Sequence, residues 1–353
     1  MTKITSALCF GLLGVSACLP VAAMAQSSVT LYGIIDTDVT YLNHVRNAQG
    51  HSSSQVAMAS AGEFGSRFGM RGVEDLGGGN KALFVLEQGF NGNNGTMTDG
   101  TKQFSRLAYV GLSSHYGALT LGRQYSALFD TMAPFFPQGR SVTFEPYNQM
   151  INNYIDNSIK YTGHYRGFTV VGLAALGGIA GNFRSSASYS LGVQYDHGPL
   201  LLGVAADQSN TAANTVAPIG TVGEVQRVDA GARYKFGKST FYAGYKWGKT
   251  QNAAAVLTQR DRVYWGGVRY AFRPDFSALL AYYYEDLRKV GNVDLANPEQ
   301  LTLQLDYFFS KSTSVYSAVS HTWHSAINFA AVSTLPNGIS NQTGVSIGLR
   351  HVF

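Results

Sequence analysis

Gln226-Arg227-Val228-Asp229-Ala230-Gly231-Ala232-Arg233-Tyr234-Lys235-Phe236 alternates with a period of two. On a strand successive side chains point to opposite faces, so Val228, Ala230, Ala232, Tyr234 and Phe236 share one face with Gln226. Arg227, Asp229, Gly231, Arg233 and Lys235 share the other. One face suits an apolar phase and the other suits water. Two more stretches read the same way. Leu301, Leu303, Leu305, Tyr307 and Phe309 oppose Thr302, Gln304, Asp306 and Phe308. In residues 29–41 the outward set is Val29, Leu31, Gly33, Ile35, Val39 and Tyr41, with Asp36 and Asp38 inward.

The spacing of such segments organises the whole chain. Tight connections stand at Asp75-Leu76-Gly77-Gly78-Gly79-Asn80, Ser113-Ser114-His115-Tyr116-Gly117, Tyr165-Arg166-Gly167 and Asp196-His197-Gly198-Pro199. Others stand at Phe236-Gly237-Lys238-Ser239, Arg273-Pro274-Asp275 and Ser310-Lys311-Ser312. Between them fall longer polar stretches near 42–62, 91–102, 125–156, 176–186, 208–224, 249–259, 287–298 and 323–342. Short and long connections alternate, which predicts about sixteen strands of roughly 9–11 residues with one end short-looped and the other long-looped. A soluble β-sandwich would bury its apolar face and would not need long loops at one end only. Strands with hydrocarbon outside and water inside must close on themselves, because an open edge leaves backbone groups unpaired in lipid. The expected fold is all-β, a transmembrane antiparallel barrel forming a single domain over residues 26–353. Tyr282-Tyr283-Tyr284, Tyr307-Phe308-Phe309 and Tyr242-Ala243-Gly244-Tyr245 place aromatics near strand ends, as interfacial girdles do.

Composition agrees. The 353 residues include 21 Tyr, 20 Phe and 40 Gly against 9 Pro, and only 13% are charged. Beyond the N-terminus no apolar stretch reaches the roughly 20 residues that a membrane-spanning helix needs. Cys9 and Cys18 are the only cysteines, and both precede residue 26, which argues against a zinc-thiolate site, a redox pair or a cysteine nucleophile in the domain. A net charge of +5, spread along the chain, does not describe a nucleic-acid binder.

Residues 1–25 read as a cleaved signal peptide. Lys3 precedes an apolar run through Leu8, Phe10, Leu12, Leu13 and Val15, and Ala23-Met24-Ala25 gives the small-x-small cleavage pattern. Val15-Ser16-Ala17-Cys18 resembles a lipoprotein signal, but the apolar run continues past it to Ala25. Either reading exports the chain.

Several segments, in order, resemble the Gram-negative general porin family, and the likeness spans the mature chain. They are Ser28-Val29-Thr30-Leu31-Tyr32-Gly33 with Asp36, and Gly65-Ser66-Arg67-Phe68-Gly69-Met70-Arg71-Gly72-Val73-Glu74-Asp75-Leu76-Gly77. Arg106-Leu107-Ala108-Tyr109-Val110-Gly111-Leu112, Leu121-Gly122-Arg123-Gln124-Tyr125, Asp156-Asn157-Ser158-Ile159-Lys160-Tyr161 and the terminal Phe353 complete the set. The resemblance implies an outer-membrane homotrimer of sixteen-stranded barrels, each a passive water-filled channel for small hydrophilic solutes, with no cofactor. It also implies that the third extracellular loop, about 125–156, folds into the lumen. Anions are the expected preference.

Such a channel performs no covalent chemistry. Charges along the water path bias which ions enter, because field lines are focused between low-dielectric walls. By family likeness Arg67 and Arg123 face the lumen at the constriction, with Arg106 a third. Alternation alone places Lys160, Arg227, Arg233, Lys235 and Lys246 inward. Asp130 and Glu145 are the third-loop acids set against the arginines, while Asp36, Asp38 and Glu87 balance the wall. A salt bridge tying loop to wall is the competing role for any one of the arginines.

Four features depart from pattern. Trp265 falls on an inward register, and Arg106 is in phase with the outward Ala108, Val110 and Leu112. Tyr154, Ile155 and Asp156 stand where the family often carries an arginine, and Pro134-Phe135-Phe136-Pro137 replaces its Pro-Glu-Phe-Gly.

Two other classes fit the sequence less well. An enzymatic barrel could use His321 and His324 with Asp306, but an i, i+3 pair on a strand points its rings to opposite faces. A substrate-specific channel or an adhesin would need a dedicated ligand surface, and loops 208–224 and 323–342 carry no charged cluster. Gly77-Gly78-Gly79 leads into a strand with no Lys-Ser/Thr at P-loop spacing, so it is a turn.

Overall fold

The computed structural model describes residues 28–212, 221–290 and 296–353. The expected leader, residues 1–25, lies outside them, as do parts of the connections expected near 208–224 and 287–298.

β1 (Ser28–Arg46) alternates as its sequence requires: Val29, Leu31, Ile35, Val39 and Tyr41 are exposed, and Asp36 and Asp38 are buried. Leu301, Leu303, Leu305 and Tyr307 repeat the pattern on β15 (Glu299–Phe308), where Gln300, Thr302, Gln304 and Asp306 are buried. So much exposed apolar surface is stable only against hydrocarbon or another apolar face.

β2 (Ser52–Ser60) pairs with residues 37–46 of β1, and β3 (Arg67–Gly77) pairs with residues 28–34 of it. The two therefore lie end to end on one side of β1 and fill one position in the sheet. The break between them follows Ala61, whose φ is 75°. From β3 onward each strand pairs antiparallel with the next. β4 (Asn80–Gly89), β5 (Leu107–Ser114), β6 (Gly117–Tyr125), β7 (Tyr154–Tyr165) and β8 (Phe168–Ala175) form the first side. β9 (Ser188–His197), β10 (Leu200–Asn210), β11 (Glu224–Phe236) and β12 (Ser239–Gln251) continue it. β13 (Leu257–Arg273), β14 (Phe276–Val290), β15, β16 (Thr313–Trp323) and β17 (Asn341–Val352) complete it.

β17 returns to β1, with Val352 opposite Ile34 and Gly344 opposite Leu42. Seventeen strands, two of them sharing a position, make a closed ring of sixteen. Phe353 seals it. Its N–H donates to the Gly33 carbonyl at 3.1 Å, and its carbonyl accepts from the Gly33 N–H at 2.9 Å. Its ring lies 2.4 Å from where a Cβ on residue 33 would fall, so glycine is needed there.

The strands of β11 to β14 run 13 to 17 residues, longer than expected. The loop expected over 249–259 shrinks to 252–256, because Lys249, Thr250, Gln259 and Arg260 pair across a hairpin. Their polarity reflects water above the membrane, not an absence of strand.

The third long connection holds α1 (Ala127–Met132), a 3-10 turn over Ala133–Phe135, and α2 (Tyr147–Met150). The Ser126 hydroxyl caps α1 by accepting from the Phe129 N–H at 2.9 Å. This segment packs on the face of the wall opposite the exposed apolar side chains. Gly203, Gly231 and Gly244 lie in register on β10, β11 and β12, and Gly244 faces Trp265 on β13. Phe135 rests on the first two: a Cβ on either would sit 2.4 Å from its ring. Trp265 lies over the third and donates its indole N–H to the Phe135 carbonyl at 3.0 Å. The inward tryptophan is thus a seat for the loop.

Candidate functional site

Glu87, near the end of β4, is buried and receives two guanidiniums. Arg106 donates from Nε to Glu87 Oε1 at 2.6 Å, and the Arg67 Nε lies 3.7 Å from Oε2. Arg106 also donates to the Tyr125 hydroxyl at 2.8 Å, while Arg67 donates to the Gly65 carbonyl at 3.0 Å. Arg106 shares its parity with Ala108 but lies one residue before β5 begins, so strand alternation does not bind it. Guanidinium suits this role because it keeps its charge at any working pH and its fork holds one carboxylate while leaving donors free.

Arg123 sits beside them. The ladder between β6 and β7 is irregular between Gly122 and Gln124, and Arg123 turns to donate to the Ser105 carbonyl at 2.9 and 2.6 Å and to Asp156 at 2.5 Å. Asp156 also accepts from Lys102 at 2.7 Å. The Arg106 and Arg123 guanidiniums lie 5.4 and 5.1 Å from the centre of the same Tyr154 ring. Tyr154 therefore gathers two arginines from elsewhere.

The third connection contributes a cation that the sequence did not single out. Arg140 has a φ of 80° and places its guanidinium 5.1 Å from the Phe129 ring and 6.0 Å from that of Phe64. No carboxylate pairs with its side chain among the described residues. Loop residues carry no periodicity, so nothing in the sequence marked its direction.

The loop acids stand differently from expectation. Asp130 pairs with Lys160 at 2.7 Å, tying α1 to β7. Burial pushes its carboxyl above the ordinary range, and Lys160 pulls it back. Glu145 is 1% exposed. It accepts from the Tyr283 hydroxyl at 2.6 Å and from the backbone N–H groups of Gln138 and Arg140 at 3.0 and 2.5 Å. Burial raises its carboxyl as well, with those donors opposing. It braces the loop and is not an acid set across from Arg67, Arg106 and Arg123. Asp36 is likewise engaged, accepting from the Tyr316 hydroxyl at 2.6 Å and the Phe64 N–H at 2.7 Å.

Arg227 lies 3.4 Å from Asp207 and Lys246 pairs with Asp261. Arg233 has no acidic partner among the described residues. It lines a cavity of about 430 Å³ beneath Pro134–Gly139, together with Arg269, Arg273 and Arg350. Arg269 pairs with Asp306, and Arg350 with Glu63 at 2.8 Å. His321, His324 and Asp306 make no constellation: the first bonds Thr343 at 2.7 Å, the second the Asn297 carbonyl at 3.1 Å, and the third Arg269.

A family model described as Gram-negative porin matches residues 12–325. The chain belongs to that family. Two porin relatives are matched over nearly their whole length. An outer membrane porin protein of Bordetella pertussis is 30% identical, with 94% of this chain and 96% of that protein covered. Outer membrane porin protein 32 of Delftia acidovorans is 29% identical over the same shares. Among solved structures, an anion-selective porin from Comamonas acidovorans superposes with a TM-score of 0.78 at 26% identity, covering 93% of this chain and all of that one. The chain is an outer-membrane porin, and its sixteen-position ring is the barrel of a passive channel.

Proposed function

We propose that this porin prefers anions, that its third connection narrows the lumen, and that Arg67, Arg106, Arg123 and Arg140 set the selectivity there. One observation carries the reading: two guanidiniums share the single carboxylate of Glu87, and on the facing loop no carboxylate pairs with the Arg140 side chain among the described residues. The local balance is positive in a low-dielectric throat, where fixed charge acts most strongly on a passing ion. Arg233 extends the positive lining towards the short-turn end, where Arg269, Arg273 and Arg350 are each paired with an acid. The printed description of the Comamonas acidovorans relative supports the same sign. Lys160 and Asp130 act as a strut, Glu145 as a loop brace, and Arg227 as a partner of Asp207.

Cleavage after Ala25, assembly as a homotrimer and the absence of any covalent chemistry or cofactor follow from the leader pattern and the family likeness. Reversal potentials across a planar bilayer in a KCl gradient test the preference. A sign showing chloride more permeant than potassium is expected, and a potassium preference would overturn it.

A further inference from the structure

The outward face of β12, β13 and β14 carries charge that the channel does not use. Lys246, Asp261, Val263, Tyr283 and Glu285 are buried on the inner side. Trp247, Lys249, Arg260, Arg262, Tyr264, Tyr284 and Asp286 alternate with them and so face out. The register stacks these residues in rows. Tyr245, Tyr264 and Tyr284 lie side by side, with ring centres 5.2 and 6.2 Å apart. Two residues nearer the long loops, Arg262 stands between Trp247 and Asp286. Two residues further, Lys249 stands directly opposite Arg260.

A tyrosine row on the outer face of a barrel marks the membrane–water interface. On β13, Phe272 forms the other aromatic level eight residues away, about 26 Å along the strand and close to the height of an apolar band. The cation rows therefore stand about 7 and about 13 Å along the strand above the tyrosines, at headgroup depth on the long-looped side.

Asp286 pairs with Arg288 at 2.7 Å, and among the described residues no carboxylate pairs with Lys249, Arg260 or Arg262. Yet on the inner side of the same strands Lys246 has Asp261. Like charges placed directly opposite on neighbouring strands are destabilising. Lys249 and Arg260 hold that arrangement where an anion from outside could relieve it.

The geometry points to a binding surface for the phosphate groups of an anionic glycolipid in the outer leaflet. Guanidinium groups hold phosphate oxygens in pairs. Trp247 beside Arg262 suits the boundary between sugar and acyl chain, and the exposed rings of Tyr264 and Tyr282 continue the apolar surface on which acyl chains would lie. A free phosphate would use the cations but not that surface. The inference rests on the outer-membrane location and not on the ion preference.

The test uses the full chain, purified in non-ionic detergent and titrated with mixed micelles of diphosphorylated lipid A, read by native mass spectrometry. The combined Lys249→Gln, Arg260→Gln, Arg262→Gln variant is expected to bind at least about tenfold more weakly. Its reversal potential in a KCl gradient should equal that of the wild type, whichever ion that favours. A charge-keeping variant, Lys249→Arg with Arg260→Lys and Arg262→Lys, should keep binding, and dephosphorylated lipid should bind the wild type as weakly as lipid A binds the Gln variant. Equal lipid A binding by wild type and Gln variant would overturn the inference. So would equal binding of the dephosphorylated lipid, or inorganic pyrophosphate binding as tightly as lipid A.

Discussion

At the scale of the residue, Glu87 decides how the arginines stand. A carboxylate gripped by Arg106 at 2.6 Å and approached by Arg67 at 3.7 Å fixes both positions while cancelling only one of their charges. Removing Arg106 leaves Glu87 with the weaker partner and takes one positive charge from the throat. At about 8 Å and an effective dielectric of about 40 that charge acts on an ion by about 1 kcal/mol, with opposite sign for chloride and potassium, so the chloride-to-potassium ratio would fall by about 2 kcal/mol, or about thirtyfold. Arg106→Ala should show that loss in bilayer reversal potentials, and Glu87→Gln should raise the ratio. Equal ratios in all three proteins would remove this carboxylate from the account. Arg67, Arg106 and Arg123 are marked in the sequence by family likeness and not by phase, since Arg106 is in phase with the outward Ala108, Val110 and Leu112. Arg140 and Glu145 were not legible. Alternation says nothing about a loop, and whether a loop carboxylate faces water or is buried depends on Tyr283, 138 residues further along the chain.

At the scale of the element, the third connection is held by the flatness of the wall beneath it. Gly203 and Gly231 face each other across β10 and β11, and their missing side chains make room for Phe135. Pro134-Phe135-Phe136-Pro137, legible only as the loss of a family acid, works as an aromatic anchor. Phe136 stacks on Trp265 at 5.3 Å while Phe135 fills the glycine seat. The inward Trp265 and Gly231 were visible in the alternation, but their meaning needed the loop they meet. Gly231→Val puts carbon where the Phe135 ring lies, and overpacking of this kind costs about 1–3 kcal/mol. The loop should lift from the wall, seen as altered single-channel conductance with more frequent closures in a barrel of unchanged circular dichroism. Phe135→Ala in the same background should relieve the clash. An unchanged channel in Gly231→Val would mean that the loop is held elsewhere.

At the scale of the whole molecule, ring closure and selectivity follow from one separation of phases. The alternation of single strands gave the barrel and its sixteen positions, because hydrocarbon outside and water inside leave no other use for such faces. The split of the second position at Ala61, and the long hairpins of β11 to β14, were hidden because polar residues above a membrane look alike in loops and in strands. Inside, Arg67 and Arg106 share one carboxylate and Arg233, towards the short-turn end, pairs with none among the described residues, so the proposed preference would rest on no single tight site. A preference that arises from a field should be screened by salt. The Debye length falls from about 10 Å at 0.1 M to about 3 Å at 1 M. Measured in gradients of constant ratio, the chloride-to-potassium permeability ratio should therefore be largest at or below 0.1 M KCl and approach unity near 1 M. Conductance should rise with concentration without saturating. A ratio that holds at 1 M, with current levelling off in the millimolar range, would place selectivity in a discrete binding site, since a bound ion at contact distance is screened far less than one passing at a distance.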